Sequence, residues 1–187
     1  MDTNPQVLVC TSLRPSPRTR TFCRDLVASS SIFQYYVRGK SNMISLLGHA
    51  HLSGACRLWL IGSSYGNPKT ITFYDVSVCP PTKMGLLLIK GTTLRREIKN
   101  LYPKSTRSRP LEFLMPEDKS LMDLYSLISS ALPKVFSTKS PRTQLRLGRN
   151  PENRIELSFV ESETGLPCGP KITVGDYHWL RGASYQP

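Results

Sequence analysis

The stretch QVLVCTSLRPSPRTRTFCRDL, residues 6–26, decides how the chain is read. Gln6–Cys10 is a short apolar run that ends in a polar loop, the pattern of a buried strand. Two prolines stop the strand from continuing through Thr11–Pro17. Ser16 followed by Pro17 marks a helix start: the serine hydroxyl accepts a backbone N–H, and proline at the first helical position lacks only an N–H that would go unpaired. Phe22 and Leu26 stand at i, i+4 with Cys23 and Val27 beside them, so a helix from about Pro17 to Ala28 lays one face on a core. A strand leading directly into a helix predicts a mixed α/β or α+β fold.

Working outward, Ile32–Arg38 reads as an aromatic strand. Ser41 is the expected cap of a second helix that turns Met43, Ile44, Leu47 and Ala50 inward. Arg57–Ile61 is almost continuously apolar, which suits a sheet covered on both faces. Gly66-Asn67-Pro68 makes a turn and Thr70–Val76 the next strand. The pattern then restarts. Met84–Lys90 is a buried strand, and Thr92 or Thr93 opens a helix through about Leu101, with Leu94, Ile98 and Leu101 inward. A basic loop at Pro103–Pro110 leads to a strand at Leu111–Leu114 and the longest helix, Pro116–Leu132. Three antiparallel strands follow, at Thr143–Leu147, Arg154–Val160 and Lys171–Val174. Strand–helix–strand–helix thus occurs twice. Two similar halves are expected, 1–79 and 82–187, each with a sheet and packed helices, meeting at the Pro80-Pro81 pair.

The 187 residues carry 25 Lys and Arg against 13 Asp and Glu, a formal net charge of +12. Residues 1–90 hold three of the acids and ten of the bases. Such a surplus points to a polyanionic partner, nucleic acid first. No apolar run is long enough for a membrane span. Met1–Pro5 has no basic start and Val7–Thr11 is too short for a signal-peptide core. The five cysteines are odd in number and form no C-x-x-C pair, as in a reducing compartment. A cytoplasmic protein with no membrane partner is expected.

The densest signal is the set Arg14, Arg18, Arg20 and Arg24 around the first helix start. Cations in a first helical turn oppose the helix dipole, which favours anions there. A bound phosphate resolves that conflict, because backbone N–H groups, hydroxyls and guanidinium forks can converge on one anion. The plainer alternative is a solvated arginine-rich face, with Asp25 the one acid nearby. Arg38-Gly39-Lys40-Ser41 repeats the arrangement at the second helix start, and Lys69 beside its turn offers a third contact. Lys104, Arg107 and Arg109 lie in a Ser/Thr loop. Arg142, Arg146 and Arg149 alternate with apolar residues along a strand that either binds nucleic acid or guards a sheet edge. Tyr35, Tyr36, Tyr65 and Phe73 can stack on bases or fill a core. Enzyme signatures are poor. His49 and His51 form an H-x-H without a neighbouring Cys or acid, and His178 is remote. Phosphate-loop, dinucleotide, nucleophile-elbow and HExxH motifs are absent. No catalytic residue, metal or cofactor is expected.

These residues resemble the Brix domain family of ribosome-biogenesis proteins. The likeness is carried by LVCTSLRPSPRTRTFCRDL at 8–26, YYVRGK at 35–40, GNP at 66–68, GTTLRREI at 91–98, PRTQLRLGR at 141–149 and YHW at 177–179. It covers nearly the whole chain and is similar to the stand-alone archaeal type, as one Brix domain over 1–187. The chain departs from the pattern at Leu13, where Arg is common, and at Ser140, where Gly is usual. The resemblance implies two halves, each like the anticodon-binding domain of class IIa aminoacyl-tRNA synthetases. It implies binding to precursor ribosomal RNA, in pre-ribosomal particles with ribosomal proteins nearby, and without catalysis. Carried over by position, the RNA contacts are Arg14, Arg18, Arg20, Arg38, Lys40, Arg142 and Arg146. A monomer is expected. The alternatives are a tRNA-binding module and an enzyme acting on RNA or a phosphorylated metabolite.

Overall fold

A computed structural model of the protein describes residues 6–133 and 142–180; Met1–Pro5, Ser140 and Pro141 lie outside them. Its strands are β1 (Gln6–Thr11), β2 (Phe33–Tyr36), β3 (Ala55–Ser64), β4 (Asn67–Asp75), β5 (Thr82–Thr93), β6 (Leu111–Phe113), β7 (Thr143–Arg149), β8 (Ile155–Glu161) and β9 (Pro167–Trp179). They join in one sheet of order β2-β1-β3-β4-β5-β9-β8-β7-β6. The helices are α1 (Pro17–Ser29), α2 (Met43–Leu52) and α3 (Met122–Ser130). β1 runs parallel to β2 and β3, β6 runs parallel to β7, and the other pairs are antiparallel.

The opening strand shows why both of its faces are apolar. Val7 and Val9 face a large core with Phe22, Cys23 and Leu26 of α1, while Leu8 and Cys10 face a smaller one with Leu46 and Ala50 of α2. Helices therefore cover both sides of β1. The large core also takes Leu145 and Leu147 of β7 and Leu124, Leu127 and Ile128 of α3. Strands six places apart in the sheet share one core, which requires the sheet to curl around α1 and α3.

The two ends of the chain hold each other's helices. At the end of α1, the Thr106 and Thr143 hydroxyls donate to the Ala28 and Ser29 carbonyls (3.1 and 2.7 Å), and the Ser31 N–H donates to Arg109 O (2.9 Å). At the end of α3, Arg57 Nε and Trp59 Nε1 of β3 donate to the Ser130 and Ala131 carbonyls (2.9 and 2.8 Å). These bonds satisfy carbonyls that a helix end leaves open. A glycine stands at each close approach. A Cβ on Gly169 would lie 2.8 Å from Ser29 Cβ of α1, and one on Gly85 would lie 2.7 Å from Leu127 Cδ1 of α3.

Several expectations are revised. The halves do not carry separate sheets: residues 76–81 are the connection between β4 and β5, which pair directly. No helix follows Thr92. β5 runs on to Thr93, because Thr92 and Thr93 pair with Ile172 and Lys171 of β9, and one 3-10 turn at Arg95–Glu97 follows. The long helix shrinks to α3 behind a 3-10 turn at Lys119–Leu121, whose N-cap is Asp118. Asn42, not Ser41, caps α2, and the helix faces the core with Leu46 and Ala50 while Ile44 is 83% exposed. The start of α1 is as read, with Ser16 Oγ accepting from Thr19 N.

Candidate nucleic-acid interface

The chain leaves β1 towards α1 on one face of the sheet and leaves β2 towards α2 on the other. Where neighbouring parallel strands send their connections to opposite faces, a crevice opens beyond their carboxyl ends, the usual ligand position in open α/β sheets. Here it is a groove of about 500 Å³ lined by Ser12, Arg14, Arg20, Arg24, Tyr35 and Arg38, among others. Arg14 turns the chain from strand to helix in the left-handed conformation (φ +53°), an uncommon and costly setting for a side-chain-bearing residue. α1 presents Arg20 and Arg24 one turn apart. The loop after β2 supplies Arg38, whose Nε donates to Ser41 O (2.8 Å) and leaves the rest of its fork open to the groove.

No carboxylate lines this groove. Among the described residues, Arg14, Arg20 and Arg24 form no salt bridge. Asp25, the one acid near them in sequence, accepts instead from the Arg95 N–H (2.9 Å). Burial pushes the Tyr35 phenol above its ordinary value, with Arg24 and Arg20 pulling against it, so it stays a neutral donor in the groove wall. Four cations held together without a counter-charge repel one another, and a polyanion relieves that repulsion while releasing its own counterions.

Other candidate residues are placed differently. Arg18 turns away from the groove and grips Glu97 with both arms of its fork (Nη2–Oε2 2.8 Å), also donating to Thr92 O (3.0 Å). The Arg18 hydrogen bonds and the Leu94 N–H hold the Glu97 carboxyl down at about 2. Lys40 is exposed in the turn after β2. Lys69 lies across α1 from the arginines, in a second groove of about 450 Å³ with Tyr65 and Lys90. Sequence reading missed Lys90, which gives no signal beyond its alternate position on a strand. Arg107 is exposed. Arg109 is structural: it pairs with the fully buried Glu161 (2.6 Å), donates to the Tyr102 hydroxyl (3.0 Å) and lies over that ring. Burial would raise the Glu161 carboxyl, but the Thr164 and Glu163 donors and Arg109 outweigh it and bring it down to about 2.

The late arginines sit at the far end of the sheet, six strand spacings or roughly 30 Å along its curve from β1. Arg142 pairs with Glu112 (3.2 Å), Arg149 with Asp118 (3.0 Å), and Arg146 is exposed and donates to Gln144 (2.9 Å). A crevice of about 620 Å³ opens here too, beyond the carboxyl ends of the parallel pair β6 and β7, but Glu117, Asp118 and Glu156 line it together with Arg146 and Arg149. The aromatics divide. Phe73 is buried edge-on to Trp59 (5.2 Å), Tyr36 stacks on His49 (4.0 Å), and Tyr65 is fully exposed. His51 is held against Val76 O (2.8 Å). Among the described residues no group of three or more His, Cys, Asp and Glu is placed to hold a metal ion. Burial pushes the Cys10 thiol up to about 11 and Cys23 higher still, the opposite of an activated nucleophile. No helix among the described residues is long and apolar enough to cross a membrane.

The fold and site define a basic α+β protein with an arginine-lined crevice that no carboxylate enters. No family model matches the chain. A probable Brix domain-containing ribosomal biogenesis protein of Aeropyrum pernix is 38% identical over 88 residues, 46% of this chain and 49% of that one. The Thermococcus kodakarensis protein of the same description is 37% identical over 99 residues, 52% of this chain and 48% of that one. These alignments span about half the length of the relatives. A third, from Methanococcoides burtonii, is 30% identical over 123 residues, 66% of this chain and 69% of that one. Among solved structures, a probable ribosomal biogenesis protein from Aeropyrum pernix superposes with a TM-score of 0.76 at 26% identity, over 92% of this chain and 97% of that one. Mil, an archaeal Imp4-like protein, shares the fold with a TM-score of 0.61 at 22% identity, over 92% and 99% of the two chains. The chain belongs to the family of Brix domain-containing ribosomal biogenesis proteins.

Proposed function

We propose that this chain is a non-catalytic ribosome-biogenesis factor that binds precursor ribosomal RNA through the crevice between β1 and β2. The observation that carries this reading is the gathering of Arg14, Arg20, Arg24 and Arg38 in one groove with no carboxylate. Lys40 extends the contact along the outer turn, and Lys69 and Lys90 continue it on the other side of α1. Guanidinium forks suit phosphate oxygens, and such contacts position a protein on RNA without reading sequence. The factor works as one Brix domain of two halves, 1–79 and 82–187. The parallel β1–α1–β2 and β6–α3–β7 units support a likeness of each half to an anticodon-binding domain. It acts as a monomer on pre-ribosomal particles, beside ribosomal proteins. Its five free cysteines fit a reducing cytoplasm.

The test is ultraviolet crosslinking in the native cell, followed by sequencing of the attached RNA and mapping of the crosslinked peptides. Enrichment of one precursor ribosomal RNA region, with crosslinks in residues 12–24 and 35–40, is the expected result. Enrichment of tRNA, or no RNA above background, overturns it.

A further inference from the structure

We infer that Tyr65 is a stacking platform for an unpaired base, so that the RNA held by the neighbouring arginine groove is single-stranded or looped where it passes the β3–β4 hairpin. This rests on the RNA-binding reading above.

The hairpin closes through a two-residue turn, Tyr65-Gly66, with Ser64 paired to Asn67. Both turn residues are left-handed, φ +47° and +78°. Such a turn favours Asn, Asp or Gly at its first position. A bulky aromatic there is a backbone outlier of the kind that accompanies function. Tyr65 gains nothing from packing in return, being 100% exposed. Nor is the tip loose. Ser16 Oγ, which caps α1, donates to Gly66 O (2.7 Å), and Asn67 Nδ2 donates to Tyr65 O (3.1 Å). The backbone of the tip is thereby anchored to the same loop and helix that carry Arg14, Arg20 and Arg24.

The groove at the foot of the ring supplies what a nucleotide needs. Lys69 and Lys90 provide ammonium groups for phosphate, Asn67 and Thr92 provide hydrogen-bonding groups, and no carboxylate lines it. Glu97, the acid that follows this wall, is already neutralised by Arg18. An aromatic face beside cations binds single-stranded RNA by stacking, whereas a duplex keeps its base faces covered.

The experiment measures fluorescence anisotropy of the full chain with a labelled single strand of about 12 nucleotides, within the site sizes of stacking proteins, and with its blunt duplex. Tyr65→Ala is expected to weaken single-strand binding about tenfold or more and to leave duplex binding unchanged. Tyr65→Phe stays within about twofold of the parent because the ring is kept. Tyr65→Asn is the folding control: it suits the turn better than tyrosine yet lacks the ring, so it must keep the melting temperature and lose the affinity. If Tyr65→Asn binds the single strand like the parent, while Arg14→Ala with Arg20→Ala does not, stacking is refuted and RNA binding stands. Equal losses on duplex and single strand also refute stacking. Binding of neither RNA by the parent chain overturns both readings.

Discussion

The arginines gathered in the β1–β2 crevice and those near the end of the chain, Arg146 apart, occupy opposite electrostatic situations. Arg14, Arg20, Arg24 and Arg38 share a groove without an acid. Arg109, Arg142, Arg149 and Arg154 each have a carboxylate partner, and Lys171 leans on Glu156 (3.6 Å). Both regions have a crevice beyond parallel strands, of about 500 and 620 Å³. Number of cations does not separate the two regions; unspent charge does. A guanidinium already paired with a carboxylate offers less to a phosphate, since binding must displace or share that partner.

The contrast can be broken in three ways. The largest effect is expected from Arg109→Ala, which strands Glu161 without its cation and costs about 3–5 kcal/mol of stability. Urea unfolding measures it, and an unchanged midpoint would show that the pair is not structural. The same pair gives a pH signature. Glu161 ordinarily titrates near 4.5 and is held at about 2 in the fold, so its contribution is complete above pH 4.5 and is lost as pH falls from 4.5 to 2. The parent should lose stability steeply across that window and Arg109→Ala less so.

Next comes the triple variant Arg14→Ala, Arg20→Ala, Arg24→Ala, expected to lower RNA affinity roughly 10²-fold and to flatten the slope of log affinity against log salt by about two, with the melting temperature kept. Arg146→Ala with Arg149→Ala should cost no more than about threefold. Equal losses from the two variants would erase the distinction between the regions. The smallest effect sharpens the comparison from the other side. Glu117→Gln with Asp118→Asn removes acids from the second crevice while asparagine keeps the cap on Ser120 N. Freed of its partner, Arg149 should raise RNA affinity by about threefold; a decrease would mean that the acids themselves meet the ligand.

Much of this was legible in the sequence where causes are local. Ser16-Pro17 announced α1, and the apolar run Gln6–Cys10 announced a buried strand. Three of the groove's four arginines are neighbours along the chain; Arg38 joins them only because β2 lies beside β1. What could not be read was set at a distance. Arg18 and Glu97 are 79 residues apart, and Arg109 and Glu161 are 52 apart. The expected helix after Thr92 had suitable inward residues, but pairing with β9 claims its first turn, and tertiary context overrides propensity. The single sheet was hidden for the same reason, since the Pro80-Pro81 pair reads as a linker until β4 and β5 are seen side by side.

The exchanged helix ends have a consequence for the order in which the molecule becomes itself. The last carbonyls of α1 wait for Thr106 and Thr143, the latter 114 residues downstream of Ser29. During synthesis the first half emerges with a helix whose end has only water to bond and whose core lacks the side chains of α3, β7 and β8. It cannot complete its own packing. Closing such long loops before any reward makes folding slow and late. The arginine crevice, although built from residues 12–38, gains its rigid backing only once most of the chain has left the tunnel.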